Sequence, residues 1–178
     1  REISLVFNAI DTVEGLGTVL DSLSDFGIKA NFFINGEFLR RHPGAVREIA
    51  QSGHEIGSLF HNYFDMTDTR FQITKEFIKE GLARNEDEYY QLSGRELSPI
   101  WHAPYYFSNP MIIEAGKEAG YHYVGRDIDS LDWVPKLDDN GLSRLYFPAA
   151  DLIDRVIEKK KPGSVVSFRV GIPGESEN

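Results

Sequence analysis

Short apolar runs alternate along the chain with longer stretches in which apolar residues recur every three or four positions. Ile3–Phe7 has the spacing of a strand. Leu16, Val19, Leu20, Leu23 and Phe26 then fall on one helical face, and Gly27 stands where a helix ends. Ala30–Ile34 is again strand-like. A helix is predicted to start at Pro43, with Val46, Ile49 and Ala50 on its buried side and Gly53 at its stop. His54–Phe60 predicts the third strand, and a long helix should follow around Ile73, Phe77, Ile78 and Leu82. Pro99–Ala103 is short and extended. Asn109-Pro110 opens a helix bearing Met111, Ile112, Ala115 and Ala119, and Tyr121–Gly125 predicts a fifth strand. Residues Asp127–Asn140 form a polar, aspartate-rich loop. Ala150–Lys161 is amphipathic, with Leu152, Ile153, Val156 and Ile157 expected to face inward, and Ser164–Val170 is the sixth strand. Six strands joined by five mostly helical connections imply a parallel sheet, because parallel neighbours need crossovers. Residues 1–178 read as one α/β domain, with no internal repeat and no linker.

Ligands of such sheets are met at loops that leave the C-terminal ends of the strands, whether the sheet closes into a barrel or stays open. The loops of interest are therefore Asn8–Thr12, Leu59–Asp68, His102–Asn109, Arg126–Asp139 and Arg169 onward. They carry Asn8 and Asp11; His61, Tyr63 and Asp65; His102, Tyr105 and Tyr106; Asp127, Asp129, Asp132 and Trp133; and Arg169.

Composition narrows the chemistry. The 178 residues hold 19 Lys and Arg against 28 Asp and Glu, a net charge of −9, so nucleic acid and anionic lipid surfaces are disfavoured partners. Cysteine is absent, which excludes disulfides, thiolate nucleophiles and thiolate zinc sites. No apolar run approaches the roughly 20 residues that span a bilayer.

Several segments together resemble the polysaccharide deacetylases of the NodB-homology type, carbohydrate esterase family 4. They are Lys29-Ala30-Asn31-Phe32-Phe33-Ile34, Gly53-His54-Glu55-Ile56-Gly57, Asp65-Met66-Thr67, Ala103-Pro104-Tyr105, Asp129-Ser130-Leu131-Asp132-Trp133 and Pro162-Gly163-Ser164-Val165-Val166. They run in the family's order along the whole chain. The resemblance implies a distorted, TIM-like (β/α) barrel, here expected to be incomplete at its C-terminal end and to belong to a longer chain. It also implies metal-dependent hydrolysis of N-acetyl groups on chitin-like, peptidoglycan or related glycans. An envelope, periplasmic or secreted location is implied on the same ground alone.

In that family, one aspartate serves as general base on the attacking water. A second aspartate and two histidines hold the metal, which polarises the acetyl carbonyl. An arginine orients the base, and a late histidine protonates the departing amine. Aligned without gaps, this chain has Asn8 and Ala9 for the aspartate pair, Leu59 and Tyr63 for the two histidines, His102 for the arginine and Arg169 for the late histidine. Asn8 cannot take a proton, Ala9 and Leu59 offer no donor atom, and Arg169 stays protonated. The expectation is a scaffold without the inherited engine: a carbohydrate-binding or structural module with no cofactor.

Two alternatives stay open at this stage. One is an active deacetylase rebuilt around Asn8, Asp11, His61, His102, Asp129 and Arg169, with a zinc site made by Asp11, His61 and Asp65 or an Asp129–His102 pair. The bland readings are that Asp65 caps a turn, that His61 is solvated, and that His54 is structural. The other alternative is a module that contacts only protein. Tyr63, Tyr105, Tyr106 and Trp133 are the candidates for stacking on a sugar.

Overall fold

The computed structural model describes residues 2–136 and 142–172. Among the described residues seven strands form one parallel sheet: β1 (Ser4–Ala9), β2 (Asn31–Ile34), β3 (Glu55–Ser58), β4 (Ile100–Trp101), β5 (His122–Tyr123), β6 (Ile128–Asp129) and β7 (Val165–Val170). Their order is β5-β4-β3-β2-β1-β7-β6. The central pairing is in register from Val6 opposite Asn31 to Ala9 opposite Ile34, and from Ser4 opposite Val165 to Ala9 opposite Val170. Six α-helices among the described residues connect the strands: α1 (Leu16–Asp25), α2 (Gly36–Arg41), α3 (Pro43–Gln51), α4 (Lys75–Ser93), α5 (Pro110–Glu118) and α6 (Ala149–Lys159). The curled parallel sheet with its helical cover is the incomplete barrel that the family resemblance implies, where the strand–helix rhythm alone left an open sheet equally possible.

The central strands are buried on both faces, as parallel strands covered by crossovers must be. Phe7, Ala9, Phe32 and Ile34 pack with Leu16, Leu20, Phe38, Val46 and Ile49 on the side covered by α1 to α3. On the concave side Val6, Ile10, Phe33 and Leu59 form a smaller cluster. A third cluster, around Phe60, Ile78, Leu82, Trp101, Ile112 and Ala115, seats α4 and α5 on β4. The predicted starts hold: Asn109 accepts a hydrogen bond from the Ile112 amide at 3.0 Å, and Pro43 is in the first turn of α3.

Three expectations need correction. A seventh strand, β6, lies inside the stretch read as the polar loop Asp127–Asn140; residues 137–140 of that stretch are outside the described ones. Its two residues pair with Val166 and Ser167 of β7, too short a run to show an alternating pattern. Helix α2 was also missed, because six residues hold too few turns to reveal a period; Asn35 caps it by accepting from the Phe38 amide at 2.9 Å. Finally, α6 does not turn its whole apolar stripe inward. Leu152 and Val156 are half-buried, but Ile153 and Ile157 stay 58% and 53% exposed.

Candidate functional site

The C-terminal end of β1 places Asn8 between Phe33 of β2 and Arg169 of β7. Alternation along the strand directs Asn8 into the concave side, with Val6 and Ile10, and sends Ala9 to the helix-covered core, where it is fully buried. His102 directly follows β4, and its Nε2 lies 2.8 Å from the Asn8 side-chain oxygen and its Nδ1 2.9 Å from the Ala103 carbonyl. A carbonyl only accepts, so Nδ1 carries a proton. Burial, chiefly, pushes the His102 pKa down to about 3, and nearby Arg126 acts in the same direction. Neutral His102 therefore has a lone pair at Nε2, and the compatible orientation of the Asn8 amide is NH2 toward His102 and oxygen toward the Tyr106 hydroxyl. The Tyr106 hydroxyl lies 3.4 Å from the amide, and its ring stacks on His102 with centroids 3.9 Å apart at 7°.

Arg126 covers the other face of Tyr106, 4.6 Å from its centroid, and is held by Asp129 at 2.9 Å. Asp129 also accepts from the Trp133 indole at 3.1 Å and from the Leu131 amide at 3.0 Å. It is thus committed to Arg126, Trp133 and its own turn, and the expected Asp129–His102 pair is not formed. Arg126 was missed from the sequence; its i,i+3 relation to Asp129 has no meaning until β6 is known to be extended. Tyr106, read as a sugar-stacking residue, presents no open face, because His102 and Arg126 cover both. Its backbone and that of Tyr105 are left-handed, with φ of 61° and 57°. Tyr105 instead is 38% exposed and lies 4.6 Å, centroid to centroid, from Tyr63.

A second polar pair sits beside the first. Arg169 bonds through Nη2 to the Asp11 carboxylate, and both side chains are nearly inaccessible, at 7% and 1%. The Arg169 backbone amide donates to the Asp132 carboxylate at 3.0 Å.

The proposed Asp11–His61–Asp65 cluster does not assemble. Asp11 is taken by Arg169. Asp65 closes its own turn, accepting from the Thr67 amide at 2.8 Å and hydroxyl at 2.6 Å. His61 is buried rather than solvated; its ring nitrogens face Glu88 Oε1 at 3.1 Å, Arg40 Nη1 at 3.0 Å and Asn62 Oδ1 at 2.9 Å. Glu88 comes from α4, 27 positions away, so no local spacing could have announced it. Among the described residues no group of three His, Asp or Glu side chains could hold an ion. The donor set does not fit the divalent cation that the resemblance implies, since Ala9 and Leu59 sit in apolar clusters and supply no ligand atom. His54 is structural, as read: its Nδ1 faces the Ala30 amide at 3.4 Å and its ring stacks on Phe32.

Comparison with known proteins agrees with this architecture. A family model described as polysaccharide deacetylase matches residues 1–124. A chitooligosaccharide deacetylase of Rhizobium leguminosarum bv. trifolii is 27% identical over 175 residues, covering 97% of this chain and 73% of that protein. The uncharacterized protein YlxY of Bacillus subtilis is 29% identical over 132 residues, 74% of this chain but only 40% of its own length. The crystal structure of a CE4 family pseudoenzyme from Bacillus anthracis superposes with a TM-score of 0.81 at 19% identity, over 96% of this chain and 55% of that one. The chain thus spans between two-fifths and three-quarters of the length of these relatives. At such low identity the last likeness speaks for the fold alone.

Proposed function

The chain belongs to the polysaccharide deacetylase family, and from that premise we propose that this domain holds a glycan at the mouth of its barrel without removing acetyl groups from it. One observation carries the reading. At the place where the family's water-activating carboxylate is expected stands Asn8, an amide whose hydrogen bonds are spent on a neutral histidine and a tyrosine hydroxyl. An amide takes no proton from water at ordinary pH, and an imidazole whose only lone pair already accepts from that amide is no substitute base. Leu59 and Ala9, buried in apolar clusters, leave the reaction without a metal-bound water.

Binding is supported by the paired rings of Tyr63 and Tyr105 on the rim, with Phe107 51% exposed and 5.7 Å beyond Tyr105. Sugars present apolar C–H faces to such rings. An envelope or secreted location is part of the proposal. It accords with relatives named as chitooligosaccharide and peptidoglycan deacetylases, and no helix among the described residues is long and apolar enough to cross a membrane.

Acetate release from chitohexaose and from acetylated peptidoglycan, with zinc or cobalt supplied, tests the proposal. No release above a protein-free control is expected, while titration calorimetry should detect oligosaccharide binding that Tyr105→Ala weakens roughly 3- to 10-fold. Metal-dependent turnover lost on mutation of His102 or Asp11 would overturn it.

A further inference from the structure

Tyr106 packs over Asn8 and His102 at the C-terminal ends of the strands. Its hydroxyl faces Asn8 and its ring lies flat on His102, so these two side chains, 8% and 1% exposed, are roofed by it. The roof is clamped from outside. Arg126 packs on the free face of the ring, Asp129 fixes Arg126, and the Trp133 indole fixes Asp129. The ring is held there against a backbone preference, because two consecutive aromatic residues, Tyr105 and Tyr106, adopt left-handed φ values that side chains with a Cβ rarely take. Such conformations persist only where surrounding contacts over-determine them. The rim outside this roof, Tyr105 and Phe107, remains exposed.

We propose that Tyr106 seals the acyl-group space above Asn8, so that the domain grips a neutral glycan by the apolar faces of its sugar rings and does not distinguish N-acetylated from unacetylated chains. The inference rests on the glycan-binding reading above and makes it specific: what Tyr105 and Phe107 can reach is common to both kinds of chain. Removing the Tyr106 ring opens a pocket lined by Asn8 and His102, where the Asn8 amide, released from the Tyr106 hydroxyl, can hydrogen-bond an acetamido group.

Chitohexaose and cellohexaose make the test, since both are uncharged β-1,4 chains that differ only in the acetamido group. Titration calorimetry of the wild-type chain should give affinities within about two-fold of each other, and Tyr106→Phe should keep that ratio. Tyr106→Gly, which takes a positive φ without strain, should acquire a preference for chitohexaose of about ten-fold, from burial of the acetyl methyl and its hydrogen bonds. Tyr106→Asn, a small side chain tolerant of the left-handed region, repeats the measurement should the glycine variant fold poorly. A ten-fold preference already present in the wild type, or an unchanged ratio in both small variants while binding persists, overturns the role of Tyr106 alone. Failure of every variant and the wild type to bind either chain overturns the glycan reading and this inference with it.

Discussion

Asn8 and His102 form a neutral pair where the family resemblance predicts a charged one. A carboxylate at position 8 would carry a desolvation cost there that the amide avoids. The neutral state has a consequence for pH. His102 binds its proton in the unfolded chain near pH 6.5 but in the fold only at about 3, so between these values the unfolded state holds more protons and folding weakens as pH falls. The stability that neutral His102 contributes is complete above about pH 6.5 and declines by about 1.4 kcal/mol per unit below it. Urea denaturation between pH 7 and 4 should show this slope reduced in His102→Gln. At the neighbouring pair, Arg169→Met leaves the Asp11 carboxylate buried and should cost about 3 kcal/mol, whereas adding Asp11→Asn in the double variant should recover most of the loss. Equal losses in the single and double variants would contradict the pairing.

At the scale of elements, close approach of helices to large rings explains two glycines that propensity alone would disfavour. A Cβ on Gly116 of α5 would meet the Trp101 ring at 2.3 Å, and one on Gly81 of α4 would meet the Phe60 ring at 2.1 Å. Alanine is better than glycine in a helix interior by about 1 kcal/mol, yet overpacking costs about 1–3 kcal/mol. Both Gly116→Ala and Gly81→Ala are thus expected to lower the thermal midpoint. Asn85 ties α4 to the sheet, donating to the Ile34 carbonyl and the Ser58 hydroxyl, each at 2.9 Å. Helix α6 stands apart from this pattern. Its apolar spacing is strong, but of the four apolar residues on its stripe Leu152 and Val156 are half-buried while Ile153 and Ile157 are exposed.

For the whole molecule, the loops at the strand ends converge as the sheet topology requires, and among the described residues their Asp11, Asp65, Asp129 and His61 side chains bond to other protein groups. A domain built this way should gain nothing from a catalytic metal. Excess zinc is expected to leave the thermal midpoint unchanged, since a ligand stabilises a fold only by binding it in preference to the unfolded chain. A saturable rise of several degrees would reveal an ion site.

The alternation of apolar runs and helical periods fixed the class of fold, because burial on one helix face or both sheet faces leaves its imprint on every turn and every strand. It also fixed where the ligand-facing loops begin, and Ala9 and Leu59 are residue types without a donor atom at positions where the resemblance implies metal ligands. Short elements were not legible. Helix α2 and strand β6 have too few residues to display a period, and their existence follows from capping by Asn35 and pairing with β7. Partners were not legible either. His102 and Asn8 are 94 positions apart, Arg169 and Asp11 are 158, and His61 meets Glu88 across a helix. Sequence records which groups must be satisfied; only the packed chain decides which neighbour satisfies each, because those contacts depend on how strands far apart in the chain are brought side by side.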